Sequence, residues 1–579
     1  MSHQEEQIAD LVGKFKTGRI SRREFVHGVS LFGGLTVTAG AIPALLAACT
    51  PAAPSAAPTA AGGAAAPTAA AAATPAAAAA TPVVAAATPA VAAATAAPKP
   101  SGPKKGGTLT AATIDKPVNM DPAFAELYSS IQVYDNVFAK LVYVTADNQF
   151  VPGLAKSWKQ LNDTTWQFDL VDNAFFHNGE KFTGADVKYT FARLADKQLA
   201  AANAIFFTPL EGVDVVNDTQ VRITTKANWG GLIGALAAFG DIVNEKAITA
   251  NDPKLKPIGA GPYKFSEWVK DDHITLDRWE KYYRTDKPYF DKVIFKAIAD
   301  DTVRLTGLQK GELNWIEQVP LQKATDLMKS TDIKANPTGA YFPDLFLINC
   351  TKPPFDKLEV RQALAWALDR QAIVNLVWFG QTKPSAEALS PDNPMYSAQD
   401  PYKGAPNPQK AKDLLASAGV QLPIKAVFAA QPQVPTQVQV GQLIQQQLKP
   451  VGFDVQVQSF ESAQWFEQLA TKKYDFTSTY WSATLDPEHC VYPLGYSTSP
   501  WNFAGFKDDK LDVALDKFRY TVDPTERKKA YADVVSQMSQ LAPMVFQVNF
   551  LRTYWTQPNI MGVATLLSLE LRMEDAWGA

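Results

Sequence analysis

The sequence is short of the residues that build most catalytic and metal centres. Of its 579 residues only three are Cys (Cys49, Cys350, Cys490). No CxxC or HExxH spacing occurs, which excludes both a disulfide framework and a zinc ligand set. The five His (His3, His27, His177, His273, His489) are scattered, and neither a metal nor a cofactor is expected. An excess of one charge is also lacking: a formal net charge of −3 leaves no basic footprint and argues against a nucleic-acid binder. The glycine turn Gly259-Ala260-Gly261-Pro262-Tyr263 enters a strand without a GKS or GKT ending, so it does not read as a phosphate-binding loop. No nucleophile–base pairing stands out.

What is present is ordinary for a soluble globular protein, with 46% hydrophobic and 20% charged residues. The chain is longer than the roughly 250–300 residues at which single cores stop growing, so several domains are expected. Aromatic residues make up 11%, including 13 Trp, which fits either thick cores or a large stacking surface.

Residues 1–48 read as a targeting segment. Ser21-Arg22-Arg23-Glu24-Phe25-Val26 resembles a twin-arginine export signal, with Arg22 and Arg23 ahead of a charge-free run from His27 to Ala48. Leu46-Ala47-Ala48-Cys49 looks like a bacterial lipobox, in which Cys49 is lipidated and becomes the new N-terminus. A permanent transmembrane anchor is the competing reading, because the run is long enough to span a bilayer. Residues 49–103 are almost entirely Ala, Pro, Thr, Gly and Val, a composition too poor in core formers to fold. As a coil this tether would reach roughly 40 Å.

The remainder alternates helix and strand signals with few hairpins, so the fold class is mixed α/β. Lys104–Thr110 and the alternating Trp166–Leu170 read as strands. Residues Ile131, Tyr134, Phe138 and Leu141 predict a helix over 127–141. Thr183 with Asp186 predicts a capped helix start ahead of Val187, Phe191 and Leu194. Asp356 is placed to cap a helix carrying Val360, Leu364, Ala367 and Leu368 and ending near Gly380. Phe453, Val455 and Val457 alternate in a strand that follows a helix around Val440–Leu448.

Taken in order, several motifs resemble the family 5 extracytoplasmic solute-binding proteins, the oligopeptide- and dipeptide-binding proteins of ABC importers. They are Asp121-Pro122, Val151–Trp158, Phe176–Glu180 with Ala185–Val187, Gly259–Tyr263, Leu308–Glu312, and Pro353–Asp356 with Val360–Leu364 and Asp369-Arg370. The resemblance runs from about Gly106 to Val563. It implies a two-lobed, periplasmic-binding-protein-like clamp of type II with an extra inserted subdomain. Lobe I would take 104–142, 248–340 and 552–579, the inserted subdomain 143–247, and lobe II 341–551. Chain crossings near Tyr341–Phe346 and Val548–Arg552 would be hinges. The implied protein is not an enzyme. It is a monomeric, exported receptor, lipid-anchored through Cys49 to the outer face of the cytoplasmic membrane, that hands solute to ABC permease subunits. Arg361, Asp369, Arg370 and His177 read as structural.

The resemblance centres the site on Tyr480–Pro487, where a strand ends in Trp481 and a turn-forming Asp486-Pro487 pair. Peptide-binding members carry an Asp three residues after this Trp to pair with the ligand ammonium. Here that position is Thr484, and Asp486 follows. Either Asp486 takes over that pairing or the ligand has no amine there, since an unpaired buried ammonium costs several kcal/mol. Phe206, Phe207, Phe546, Gln547, Asn349, Trp501 and Asn502 are further candidates for the lining, each with an equally good core reading. Cys350 and Cys490 would lie near one another in an oxidising compartment, so a disulfide is a candidate. The expected ligand is an oligopeptide or dipeptide. The alternatives are an oligosaccharide or other non-peptide solute and, in a different class, a secreted hydrolase.

Overall fold

Two long antiparallel strands, Lys334–Ile348 and Met544–Thr556, form the spine of an eleven-stranded sheet in the computed structural model. Residues 102–124, 127–145, 149–391, 393–481, 486–565 and 571–579 are described. The export signal, the lipobox, most of the tether and Thr484 lie outside them. On one side of the spine Trp315–Ile316 joins Thr108–Thr113, Lys292–Ala297, His273–Arg278 and Tyr263–Val269. On the other, Phe476–Tyr480 leads to Ile424–Ala430 and Phe453–Ser459. The register of the spine breaks at Pro337–Tyr341 and at Asp344–Leu345, so the chain passes between the two halves through irregular pairing.

Each half contains parallel pairs that need crossovers. Ile424–Ala430 pairs in parallel with Phe453–Ser459, and the helix Pro435–Leu448 joins them, burying Val440, Ile444 and Leu448. Residues 143–247 contain a separate four-stranded antiparallel sheet (Ala155–Asn162, Thr165–Leu170, Gln220–Thr225, Leu210–Asn217). Across it lies the helix Gly184–Ala195. Thr183 caps this helix and Asp186 completes the capping box, while Val187, Phe191 and Leu194 turn inward. One apolar cluster runs from this subdomain (Phe206, Trp229, Leu236) into the second half (Cys490, Leu515, Tyr531).

Two separated motifs prove to be one joint. His177 Nε2 donates to Gly261 O (3.1 Å) and Nδ1 accepts from the Gly259 amide (3.4 Å). Burial pushes the imidazole down to about 4, in keeping with this neutral tautomer. The two glycines are required by proximity: a Cβ at Gly259 would sit 2.1 Å from Val137 O, and one at Gly261 2.7 Å from Phe138 O.

Two helices depart from expectation. The helix predicted over 127–141 is confined to Tyr128–Tyr134. The amides of Gly261 and Tyr263 occupy the carbonyls of Val137 and Asn136, and Ala139–Lys140 pairs with Asp241–Ile242 instead. The helix predicted to run from Asp356 to Gly380 is two helices, Leu358–Ala367 and Arg370–Leu376. They are split where Leu368 turns extended and Asp369 caps the second. Arg361 donates to three carbonyls and Arg370 pairs with Asp400, so both brace this region.

Candidate functional site

Two adjoining cavities, about 60 and 150 Å³, lie between the halves of the sheet and share Asp115, Tyr128, Gln431, Val434, Thr479 and Tyr480. The smaller, inner chamber abuts the spine at Asp344 and Phe550. The larger, outer chamber reaches Phe206 and Phe239 of the inserted subdomain on one side and Trp481, Trp501 and Phe503 on the other.

The strand Phe476–Tyr480 delivers Trp481 to the outer chamber. Its amide donates to Pro343 O (3.0 Å) and its indole to His489 O (2.9 Å), fixing the ring half-buried and edge-on to Trp501 at 5.5 Å. Trp501 in turn donates its indole hydrogen to Ala202 O in the subdomain (3.0 Å). Phe206 lies flat on Phe239, with ring centroids 3.7 Å apart. The outer chamber is therefore an aromatic slot with walls from both sides. Further contacts join the two sides. Ser462 donates to Asp115 (2.8 Å), Trp229 to Glu488 (3.2 Å), and Arg519 to Thr208 (2.6 Å).

Asp486 is held elsewhere. One nitrogen of Arg527 contacts both of its oxygens at 2.8 Å. Burial alone would raise this carboxyl; the Arg527 guanidinium, aided by His489, outweighs burial and holds it below its ordinary value. Next to it Glu488, fully buried, accepts from Arg519 Nε at 2.7 Å. This cluster is internally neutralised.

Among the other predicted residues, Phe206 and Trp501 line the outer chamber, whereas Phe207 packs on Phe191 behind it. Asn349 is turned into the second half, where its amide donates to Lys472 O and Tyr474 O. Asn502 donates to the carbonyls of Tyr496 and Phe506 and braces its own loop. Phe546 belongs to the core and Gln547 is fully buried; the residue of that strand that reaches the cavity is Phe550. Cys350 and Cys490 are separate thiols rather than a bridge. Cys350 follows the spine beside Tyr474, while Cys490 is enclosed in a helix against Tyr531. Burial pushes the Cys350 thiol up to about 12 and raises Cys490 as well, which disfavours the thiolate of both.

Sequence reasoning missed the inner chamber. Asp115, Glu317 and Asp344 line it together with Tyr128, Trp378 and Phe550. Asp344 accepts a hydrogen bond from Ser478 Oγ (2.7 Å), and burial pushes its carboxyl up to about 7. A signal existed: Asp344 is the lone charge in the apolar stretch Tyr341–Ile348 of a crossing strand. Among the described residues no group of three His, Cys, Asp or Glu is placed to hold a metal ion, and no helix is long and apolar enough to cross a membrane.

The sequence profile of the bacterial extracellular solute-binding proteins, family 5 (middle region), matches residues 149–503, more than half of the chain. The glutathione-binding protein GsiB of Pectobacterium atrosepticum is 26% identical over 444 residues, which cover 74% of this chain and 86% of that protein. Among solved structures, AgaA from A. tumefaciens R10 in complex with agropinic acid superposes with a TM-score of 0.75 at 27% identity, covering 82% of this chain and 99% of that one. The oligopeptide-binding protein AppA of Bacillus subtilis, bound to a nonapeptide, gives 0.76 at 23% identity and covers 82% and 100%. These neighbours are two-lobed periplasmic binding proteins, so the two halves of the sheet are the two lobes of that fold.

Proposed function

The chain belongs to family 5 of the bacterial extracellular solute-binding proteins, and from that premise we propose that it captures a small amino-acid-derived solute, such as a di- or tripeptide, by closing its lobes. Members of the family are extracytoplasmic receptors of ABC importers and carry out no chemistry on what they bind. The observation that carries the reading is the enclosed aromatic slot, walled from both lobes and bridged by Asp115–Ser462, Trp501–Ala202 and Arg519–Thr208. Ligand held in such a slot favours the closed form, and the permease would read that form. Among relatives with named ligands, the glutathione of GsiB and the nonapeptide of AppA support a peptide-type solute, whereas the agropinic acid of AgaA and the Ni(L-His) of other neighbours mark a wider range. The lipobox-like Leu46–Cys49 and the tether after it support lipid anchoring outside the cytoplasmic membrane.

A thermal-shift screen tests the reading with glutathione, di- to pentapeptides and cello-oligosaccharides. A ligand at 100 times its Kd stabilises by about 2.7 kcal/mol. A shift with peptides or glutathione supports the proposal. A shift with oligosaccharides alone replaces it with the sugar reading that the aromatic slot also accommodates, and release of hydrolysis products would reject the receptor role. A Cys49→Ser variant that leaves the protein membrane-bound would reject the anchor.

A further inference from the structure

Resting on the receptor reading above, we propose that the inner chamber binds the guanidinium group of a cationic solute side chain. Asp344 is its counter-charge, and the rings of Trp378, Tyr480 and Phe550 form its walls.

Several buried carboxylates elsewhere in this protein meet a cation, while Asp186 and Glu387 are each held by three amide or hydroxyl donors. Asp121 meets Arg193 at 2.6 Å, Asp135 meets Lys140 at 3.0 Å, Glu574 meets Arg284 at 2.7 Å and Glu488 meets Arg519 at 2.7 Å. Asp344 is as deeply buried, at 5% exposure, yet its partners are the Ser478 hydroxyl and the Leu345 amide. Two more carboxylates line the same chamber from the other lobe. Glu317 accepts from the Ile114 amide (2.9 Å) and Asp115 from Ser462 (2.8 Å). No Lys or Arg is among the described residues lining either chamber. The charge of Arg304 is felt by Glu317 and Asp115, but its guanidinium is engaged with the carbonyls of Ile298, Ala299 and Gln318.

Two further polar atoms on the chamber's lining residues are buried and lack a partner among the described residues: Ser129 Oγ and Trp378 Nε1. Both residues are more than nine-tenths buried, and leaving such groups unpaired costs about 1–3 kcal/mol each unless something else in the chamber satisfies them. The rings complete the environment. Trp378 stacks on Phe550 at 4.4 Å, and Tyr480 stands edge-on to Phe550 at 5.8 Å. A carboxylate beside several aromatic rings suits a delocalised or soft organic cation. The absence of a metal-ligating cluster among the described residues directs the same carboxylates to an organic group. A cation beside Asp344 opposes the burial that raises its carboxyl, so binding favours the ionised form and releases a proton to solvent.

The test is isothermal titration of the purified protein with a matched pair, Ala-Arg and Ala-citrulline, which differ in side-chain charge, alongside glutathione and Ala-Glu. The expected result is that Ala-Arg binds roughly 10- to 100-fold more tightly than Ala-citrulline. The preference should shrink to within about threefold in Asp344→Asn and fall in Glu317→Gln. Equal affinity for the pair, or an undiminished preference in Asp344→Asn, overturns the cation site. Binding of glutathione or Ala-Glu without binding of Ala-Arg overturns it too, while leaving the solute-receptor reading intact. Binding of none of the four overturns both. The wild-type comparison decides the matter even if Asp344→Asn fails to fold.

Discussion

Two groups of buried or half-buried carboxylates flank the stretch around Trp481, and the protein treats them in opposite ways. Asp486 and Glu488 are matched by Arg527 and Arg519, with Trp229 donating to Glu488 from the inserted subdomain. Gly231 allows that approach, since a Cβ there would stand 2.8 Å from Glu488 Oε2. Asp344, on the crossing strand, is given a hydroxyl and an amide instead of a cation. Burying a charge is costly unless it is paired, so the first group is complete without ligand and the second is not. Which carboxylate is free to serve the ligand is thus decided by where the arginines are.

The largest effect should come from breaking the complete group. Arg519→Met leaves Glu488 buried with its nearest cation, Arg527, 3.6 Å away, and should cost about 3–5 kcal/mol, read from the guanidinium unfolding midpoint. Adding Glu488→Gln should restore a large part of that loss. An unchanged midpoint in the single variant would mean that the cluster is not the neutralised core described.

Asp344 should respond with the opposite sign. Its carboxyl is raised to about 7, so between about pH 4 and 7 the folded protein keeps a proton that the unfolded chain has released. Its contribution to stability is full below the unfolded value and is lost as pH rises through about 7. Without ligand, Asp344→Asn should therefore gain up to about 4 kcal/mol over wild type at pH 8 and little near pH 4. Asp486, held low by Arg527, contributes above its unfolded value and loses that contribution as pH falls through its lowered one. Asp486→Asn should cost about 1.5–3 kcal/mol at pH 7 while leaving solute affinity unchanged. Parallel pH–stability curves for Asp344→Asn and Asp486→Asn would erase the distinction between the groups.

Much of this molecule was legible in its sequence, because the relevant signals are local. The capping box at Thr183–Asp186, the alternation at Trp166–Leu170 and the ordered motifs from Asp121 to Arg370 are patterns within a few residues. Trp481, at the end of a strand, was found the same way and does line the outer chamber. The failures are non-local. Asp486 looked free because its partner Arg527 is 41 residues away on another helix. Asp344 was not singled out, because its burial depends on pairing with Met544–Thr556 and Phe476–Tyr480. The helix starting at Tyr128 stops early because a turn more than 120 residues later takes its next carbonyls. Periodicity reports which face is apolar; it does not report which charge will find a partner.

The smallest expected effect tests whether the complete group also acts as a clasp. Trp229→Phe keeps an aromatic ring and removes the indole hydrogen that reaches Glu488 Oε2 across the lobe boundary at 3.2 Å. Glu488 keeps Arg519, so no charge is stranded and the loss should be near 1 kcal/mol. If the bond exists only when the lobes are closed, that amount comes off the closed state and solute affinity falls about fivefold. If the bond persists in the open form, both states lose it equally, the melting temperature drops and affinity stays as it was. In the first case closure depends partly on carboxylates that never touch the solute, and the two groups differ in partner but cooperate in binding. In the second case Glu488 and Arg519 only hold the subdomain to its neighbour, and Asp344 stands alone as the carboxylate that answers to ligand.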